Sequence, residues 1–196
     1  MATPSQWQAQ LVPQSKLQDA NSSSARVRHW GRLVQGPPRR SSESQAPDSY
    51  GTEREVGLAI QQSSIPREKL FITTKVEDGW EDVPAAPDAS LEKLQLEYVD
   101  FYLLHNPYVI GSNEGIQAAW KGLETVKAQG KAKSIGISNF QRHHTEALLE
   151  ICAIKPVINQ LEFHPYLQRA NDFVPWMREQ GIEVSSFKTL APITLA

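Results

Sequence analysis

The sequence predicts an α/β fold of parallel βαβ units, on three observations. Short apolar runs rich in β-branched and aromatic residues read as strands. Amphipathic stretches with apolar residues three and four apart separate them. The alternation repeats every roughly 25 to 35 residues, the length that a strand, a crossover helix and two short loops require. Units of this kind build either an open doubly wound sheet or a closed barrel, and periodicity does not choose between them. No Gly-x-Gly-x-x-Gly follows any strand, which weakens the open dinucleotide-binding sheet.

Taken in order, residues 1–44 stand apart. They are rich in Ser, Gln, Arg and Pro, include NSSS and PPRRSSES, and hold no period of a helix or a strand. A low-complexity, disordered segment is expected there, with the folded domain over 45–196. Pro47-Asp48-Ser49-Tyr50-Gly51 then forms a turn, and Val56, Leu58, Ala59 and Ile60 open a helix. Strands are expected at 70–76 (LFITTKV), 99–105 (VDFYLLH), 133–140 (KSIGISNF), 157–163 (VINQLEF) and 182–190 (IEVSSFKTL). Between them ASLEKLQLEY, GIQAAWKGLETVKAQGK, HTEALLEICAI and FVPWMREQG read as helices. Ile116, Ala119, Trp120, Leu123 and Val126 mark one face of the second of these, and Gly130 stops it; Gly181 does the same for the last.

Composition narrows the partners. With 40% hydrophobic and 21% charged residues, the 196-residue chain can bury a core. A net charge of -2 supplies no global field for nucleic acid or an anionic membrane, which leaves a small-molecule partner. The single cysteine, Cys152, sits in an apolar run, excludes an internal disulfide and is expected to be a small buried hydrophobe in a reducing compartment. No apolar stretch approaches the ~20 residues that span a bilayer, and the polar start lacks a secretory core, so a cytoplasmic protein is expected.

The strands turn polar where they end. Lys75 closes LFITTK, His105 closes DFYLLH, Ser138 and Asn139 close SIGISN, and Asn159 and Gln160 interrupt VINQ. Singly, each has a plain structural reading as a solvated strand end, a satisfied core histidine or a helix cap. Together they would converge on one mouth if the strands formed a barrel. A phenol from Tyr50 joined to Lys75 and His105 there would suit carbonyl reduction. A neighbouring ammonium brings a phenol, ordinarily with a pKa of ~10, closer to proton donation, and an imidazole can hydrogen-bond the substrate oxygen. Ser, Asn and Gln match the donors and acceptors of a carboxamide such as that of nicotinamide.

The segments DSYGTEREVGLAI, REKLFITTKV, SLEKLQLEYVDFYLLHNP, AWKGLETVKAQGKAKSIGISNF, INQLEFHPYLQ and GIEVSSF resemble the aldo-keto reductase family, particularly its fungal members, in order and spacing. The resemblance implies a (β/α)8 TIM barrel, here in part, over about strands 3 to 7, with NADP as cofactor and an aldehyde or ketone as substrate. It implies that Tyr50 is the proton donor, Lys75 the partner that lowers its pKa and His105 the group that orients the carbonyl. Ser138, Asn139 and Gln160 would hold the nicotinamide carboxamide. Phe187 stands where the family usually stacks a tyrosine on the nicotinamide ring.

The chain also departs from the family. Gln45 occupies the place of the family's catalytic aspartate, five residues before the tyrosine. Residues 20–44 do not continue the first strand and helix of the family, as an altered reading frame or exon boundary would produce, and the sequence stops after the seventh family strand. Asn106-Pro107 replaces a more common Trp-Pro and implies a more polar pocket; Trp80 reads equally as pocket wall or loop aromatic. An incomplete barrel of this kind leaves open edges that invite association with another chain. The rival reading is therefore a non-catalytic truncated barrel acting as a binding partner or inactive remnant.

Overall fold

The structure, a computed structural model, describes residues 51–63, 65–164, 166–167 and 172–190. The segment expected to be disordered, the boundary at residue 45, and Tyr50 lie outside the described residues. Within them the chain runs α1 (Glu53–Gln62), β1 (Thr73–Val76), α2 (Ala86–Leu94), β2 (Val99–Leu104), α3 (Pro107–Ile110), α4 (Asn113–Ala128), β3 (Ala132–Ser138), α5 (Arg142–Leu149), β4 (Ile158–Glu162), α6 (Phe173–Glu179) and β5 (Glu183–Phe187). Each expected strand is present and somewhat shorter than its apolar run.

All pairings between these strands are parallel, and the strand order is β1-β2-β3-β4-β5. Successive crossovers therefore advance in one direction around the sheet. A doubly wound sheet reverses at a switch point, whereas a barrel does not, so the order settles what periodicity left open in favour of part of a TIM barrel.

The helix side of the sheet holds the main core. Val76, Tyr102, Leu104, Ile135 and Ile137 pack beneath Leu91, Leu94, Ile116, Trp120, Leu123 and Val126. α4 shows how sequence sets that layer: Ser112 Oγ accepts from Gly115 N at 3.1 Å, fixing the start. Its buried residues then recur at helical spacing, and Gly130, at φ 77°, takes the left-handed conformation that ends the turn. The Trp120 indole N–H, which burial would otherwise orphan, donates to Ile154 O at 3.0 Å.

Three local readings change. α2 starts earlier and ends sooner than ASLEKLQLEY suggested, because Gln95 adopts φ 57° and stops it without a glycine. α5 likewise ends at Leu149, so Cys152 lies beyond the helix, half-buried against the core. Asn106 is a cap: its Oδ1 accepts from Tyr108 N at 3.0 Å at the head of α3, a use that accounts for its polarity without a polar pocket. Trp80, in the 3₁₀ turn Trp80–Asp82, packs against the core.

At the N-terminal ends of the strands, Asp100 is buried and accepts from Ile72 N at 2.8 Å and from Arg67 Nη2 at 2.9 Å, while Lys133 Nζ lies 3.2 Å away. Arg67 and Lys133 both lie over the Tyr98 ring, at 4.1 and 4.3 Å from its centroid. This end of a barrel carries stability, leaving the opposite end for chemistry.

Candidate active site

Side-chain alternation decides which residues face the site. Thr74 Oγ1 donates to Glu53 Oε1 of α1 at 2.8 Å, so Thr74 points to the helices and Lys75 to the opposite face of the sheet. Register then sorts that face into layers. Lys75 pairs with Leu103, and Leu103 with Gly136. Nearer the C-terminal ends, Ser138 pairs with Gln160 and Gln160 with Ser185. Continuing the ladders one step past Val76↔Leu104 and Leu104↔Ile137 brings Glu77, His105 and Ser138 into that same row. His105 N donating to Val76 O at 2.9 Å extends the β1–β2 ladder in that direction. Glu162 and Phe187 pair one layer further out.

Lys75 is thus buried in the floor, 3% exposed, with His105 in the row above. Burial lowers the Lys75 pKa from 10.5 to about 8, and the charge of Glu77 opposes the shift. His105 is also lowered, first by burial and then by the Lys75 charge, against the opposing effect of Glu77. Glu77 Oε2 lies 2.7 Å from His105 Nδ1. Sequence reasoning missed Glu77. The signal was there, because Thr73, Lys75 and Glu77 continue one period-2 face beyond the strand.

Gly136 shows how crowded the floor is. A Cβ there would lie 2.8 Å from Ile158 O and 2.8 Å from Leu103 Cδ2, so glycine is what lets β2, β3 and β4 close over this layer. Asn139, at φ 63°, turns its amide back so that Nδ2 donates to His105 O at 3.0 Å and reaches Ser138 Oγ at 3.3 Å. Ser138 Oγ in turn donates to Gln160 O at 2.9 Å. These two residues tie the strand ends together. Gln160 differs, because its Oε1 is buried and has no partner among the described residues.

An orphaned buried acceptor of this kind costs free energy unless something donates to it. The NH2 of a carboxamide is a matched donor, so the residues present fit a nicotinamide at this row. Phe187, half-buried and one layer outward on the same face, is in register to cover a ring held against Gln160. Lys188 Nζ lies 5.9 Å from the Phe187 centroid and 3.3 Å from Glu162 Oε2. Of the expected site residues, Lys75, His105, Ser138, Asn139, Gln160 and Phe187 come to one end of the sheet, and Tyr50 lies outside the described residues. Among the described residues no group of three His, Cys, Asp or Glu could hold a metal ion. Cys152 is no nucleophile candidate: burial, with Glu124 nearby, raises its thiol pKa.

Residues 47–195 match the aldo/keto reductase family, and the chain belongs to that family. Over 144 residues it is 42% identical to the glyoxal reductase of Bacillus subtilis (strain 168), covering 72% of this chain and 50% of that protein. It is 40% identical over 146 residues to an NAD/NADP-dependent indole-3-acetaldehyde reductase of Schizosaccharomyces pombe (strain 972 / ATCC 24843), covering 74% and 51% respectively. The chain spans about half the length of the curated relatives it matches. Among solved structures, an aldo/keto reductase from Brucella melitensis superimposes with a TM-score of 0.69 at 35% identity, over 74% of this chain and 56% of that one. An aldo-keto reductase from a Medee basin deep-sea metagenome library gives 0.69 at 35%, over 76% and 54%. These matches agree with the TIM-barrel reading of the strand order. Among the described residues no helix is long and apolar enough to cross a membrane.

Proposed function

We propose that this chain carries the carbonyl-reducing site of an NADP-dependent aldo-keto reductase, converting a small aldehyde or ketone to an alcohol. The observation that carries the reading is the layered mouth: a buried Lys75 below His105, in a row that ends on the unpartnered Oε1 of Gln160. A bound nicotinamide would supply the hydride. Gln160 would hold its carboxamide, Ser138 and Asn139 would fix the strand ends around it, and Phe187 would cover the ring.

The chain's own residues handle the oxygen. His105 would hydrogen-bond the carbonyl oxygen and orient it, and Tyr50 would give that oxygen its proton. Lys75 would stabilise the phenolate left behind, and an ammonium kept in a dry floor acts more strongly than one in water. NADP, a cytoplasmic setting and a small carbonyl substrate belong to this reading. Relatives described as glyoxal and indole-3-acetaldehyde reductases support the substrate class.

The test is quenching of NADPH fluorescence by the purified full chain, followed by loss of the reduced-nicotinamide absorbance when a reactive aldehyde is added. Consumption abolished by Tyr50→Phe supports the reading. Absence of both quenching and consumption would leave a non-catalytic reading in its place.

A further inference from the structure

The turn from β3 into α5 is pinned at three consecutive residues. Asn139 Nδ2 donates to His105 O at 3.0 Å, and its backbone N–H donates to Gln160 O at 2.9 Å. Phe140 O accepts from the buried Asn159 Nδ2 at 2.9 Å. The third pin is of another kind: Gln141 N donates to His144 Nδ1 at 3.2 Å, across the first turn of α5. Helices commonly place Glu or Gln where His144 stands, to reach back to the backbone N–H that precedes the helix. Those side chains accept throughout the neutral range. An imidazole accepts only while Nδ1 is bare, so of the three pins this one depends on pH.

We propose that His144 is a pH-sensitive latch: neutral, it holds the start of α5 and with it the Asn139 clamp on His105; protonated, it releases that turn. The latch stands on the geometry of α5, and its consequence for the mouth rests on the carbonyl-reducing reading of the site. With Nδ1 accepting, the neutral ring carries its proton on Nε2. A second proton turns Nδ1 into a donor, so the hydrogen bond is lost and two N–H groups are set against each other.

The surroundings disfavour that second proton. His144 is 8% exposed, and its ring packs edge-on against the Tyr108 phenol of α3 at 5.1 Å and against Phe140 at 5.9 Å, while the His143 ring lies 3.9 Å away. Burial first, and then the charge of His143, lower its pKa from 6.5. The other charged pair at this end of α5, Arg142 and Glu146, bond to each other at 2.9 Å. From α4 the neutral Gln117 reaches α5, donating to Ala147 O at 2.9 Å, and from α6 the Trp176 ring lies 4.8 Å from the Arg142 guanidinium. The folded ring therefore stays neutral at pH values where the unfolded one is protonated. Its contribution to stability is fully present above pH 6.5 and is lost as pH falls below that value.

The test is NMR of the isotope-labelled full chain from neutral to mildly acid pH, with the His144 ring assigned by its loss in His144→Gln and the Asn139 side-chain amide by its loss in Asn139→Ser. In the wild type the neutral ring should carry its proton on Nε2. As acid titrates it, the Gln141 amide should lose about fivefold of its protection against hydrogen exchange, the worth of one hydrogen bond, and the Asn139 side-chain amide should shift along the same curve. His144→Gln, whose side chain still accepts, should hold both constant over that range, and His144→Ala should show the acid behaviour already at neutral pH. A neutral wild-type ring protonated on Nδ1, an Asn139 amide that does not follow the His144 curve, or a pH dependence unchanged in His144→Gln overturns the proposal. The wild-type tautomer and the shared curve decide the matter even where His144→Ala fails to fold. These readouts need no turnover. An Asn139 amide that follows His144 without aldehyde reduction supports the latch and removes the reductase reading; reduction with an Asn139 amide indifferent to His144 does the reverse.

Discussion

Replacing Lys75 by Met is expected to make the protein more stable while removing its proposed chemistry. The ammonium is 3% exposed on a strand whose four residues are all buried, and its pKa falls from 10.5 to about 8. At neutral pH the lysine is charged in both the folded and the unfolded chain, so folding carries the cost of drying an ammonium. At ~1.4 kcal/mol per pH step, a fall from 10.5 to about 8 corresponds to about 3 kcal/mol against the fold. Met has a similar volume and no charge to bury, so Lys75→Met should gain about 1–3 kcal/mol at pH 7, less whatever polar contact the ammonium makes. The sign with pH follows. Between about 8 and 10.5 the unfolded chain holds more protons at this position than the folded one, so wild-type stability rises with pH through that window, relative to the variant. The difference between the two proteins should therefore shrink towards zero by about pH 10.5. Urea unfolding followed by fluorescence of the buried Trp120 at both pH values measures it. A variant less stable than wild type at pH 7, or a difference that does not change with pH, would refute the reasoning.

Other expectations concern separate parts of the molecule. Asp100→Ala should cost about 3–5 kcal/mol by chemical denaturation, because it strands Ile72 N and the Arg67 guanidinium, whereas Lys133→Met, at a half-exposed partner, should cost about 1 kcal/mol or less. Gly136→Ala should destabilise by about 1–3 kcal/mol in the same assay, since backbone and Leu103 stand within 2.8 Å of the added carbon. Gln160→Leu should weaken cofactor binding, measured by fluorescence titration, about three- to tenfold, the worth of one buried hydrogen bond, with little loss of stability because the orphaned Oε1 disappears with it.

Much of the fold was legible because period 2 and period 3.6 alternate cleanly here. The apolar face of α4 and its glycine stop could be read directly, since the burial that drives the helix is written in Ile116, Trp120 and Leu123. Boundaries were less legible. α2 stops at a glutamine in the left-handed region, closed by Gln95 N donating to Glu92 O and Leu96 N to Leu91 O, an end that propensity does not announce. The candidate site residues on β1 to β4 stood out because polar side chains at strand ends are conspicuous against apolar runs. Glu77 escaped notice because it lies beyond the ladder among Asp78, Glu81 and Asp82, where a carboxylate reads as a solvated loop. Its contact with His105 depends on register between two strands, which no single segment encodes.

The most direct measurement for the central claim, that these strand ends form a carbonyl-reducing mouth, is isotope tracing. The purified chain is supplied with a reduced nicotinamide cofactor carrying deuterium at its reactive carbon and with a small aldehyde, and the alcohol is examined by mass spectrometry. Deuterium on the carbinol carbon in the wild type, lost in His105→Ala and in Tyr50→Phe, is the predicted result. No labelled alcohol from the wild type, or equal labelling in all three proteins, would contradict the account.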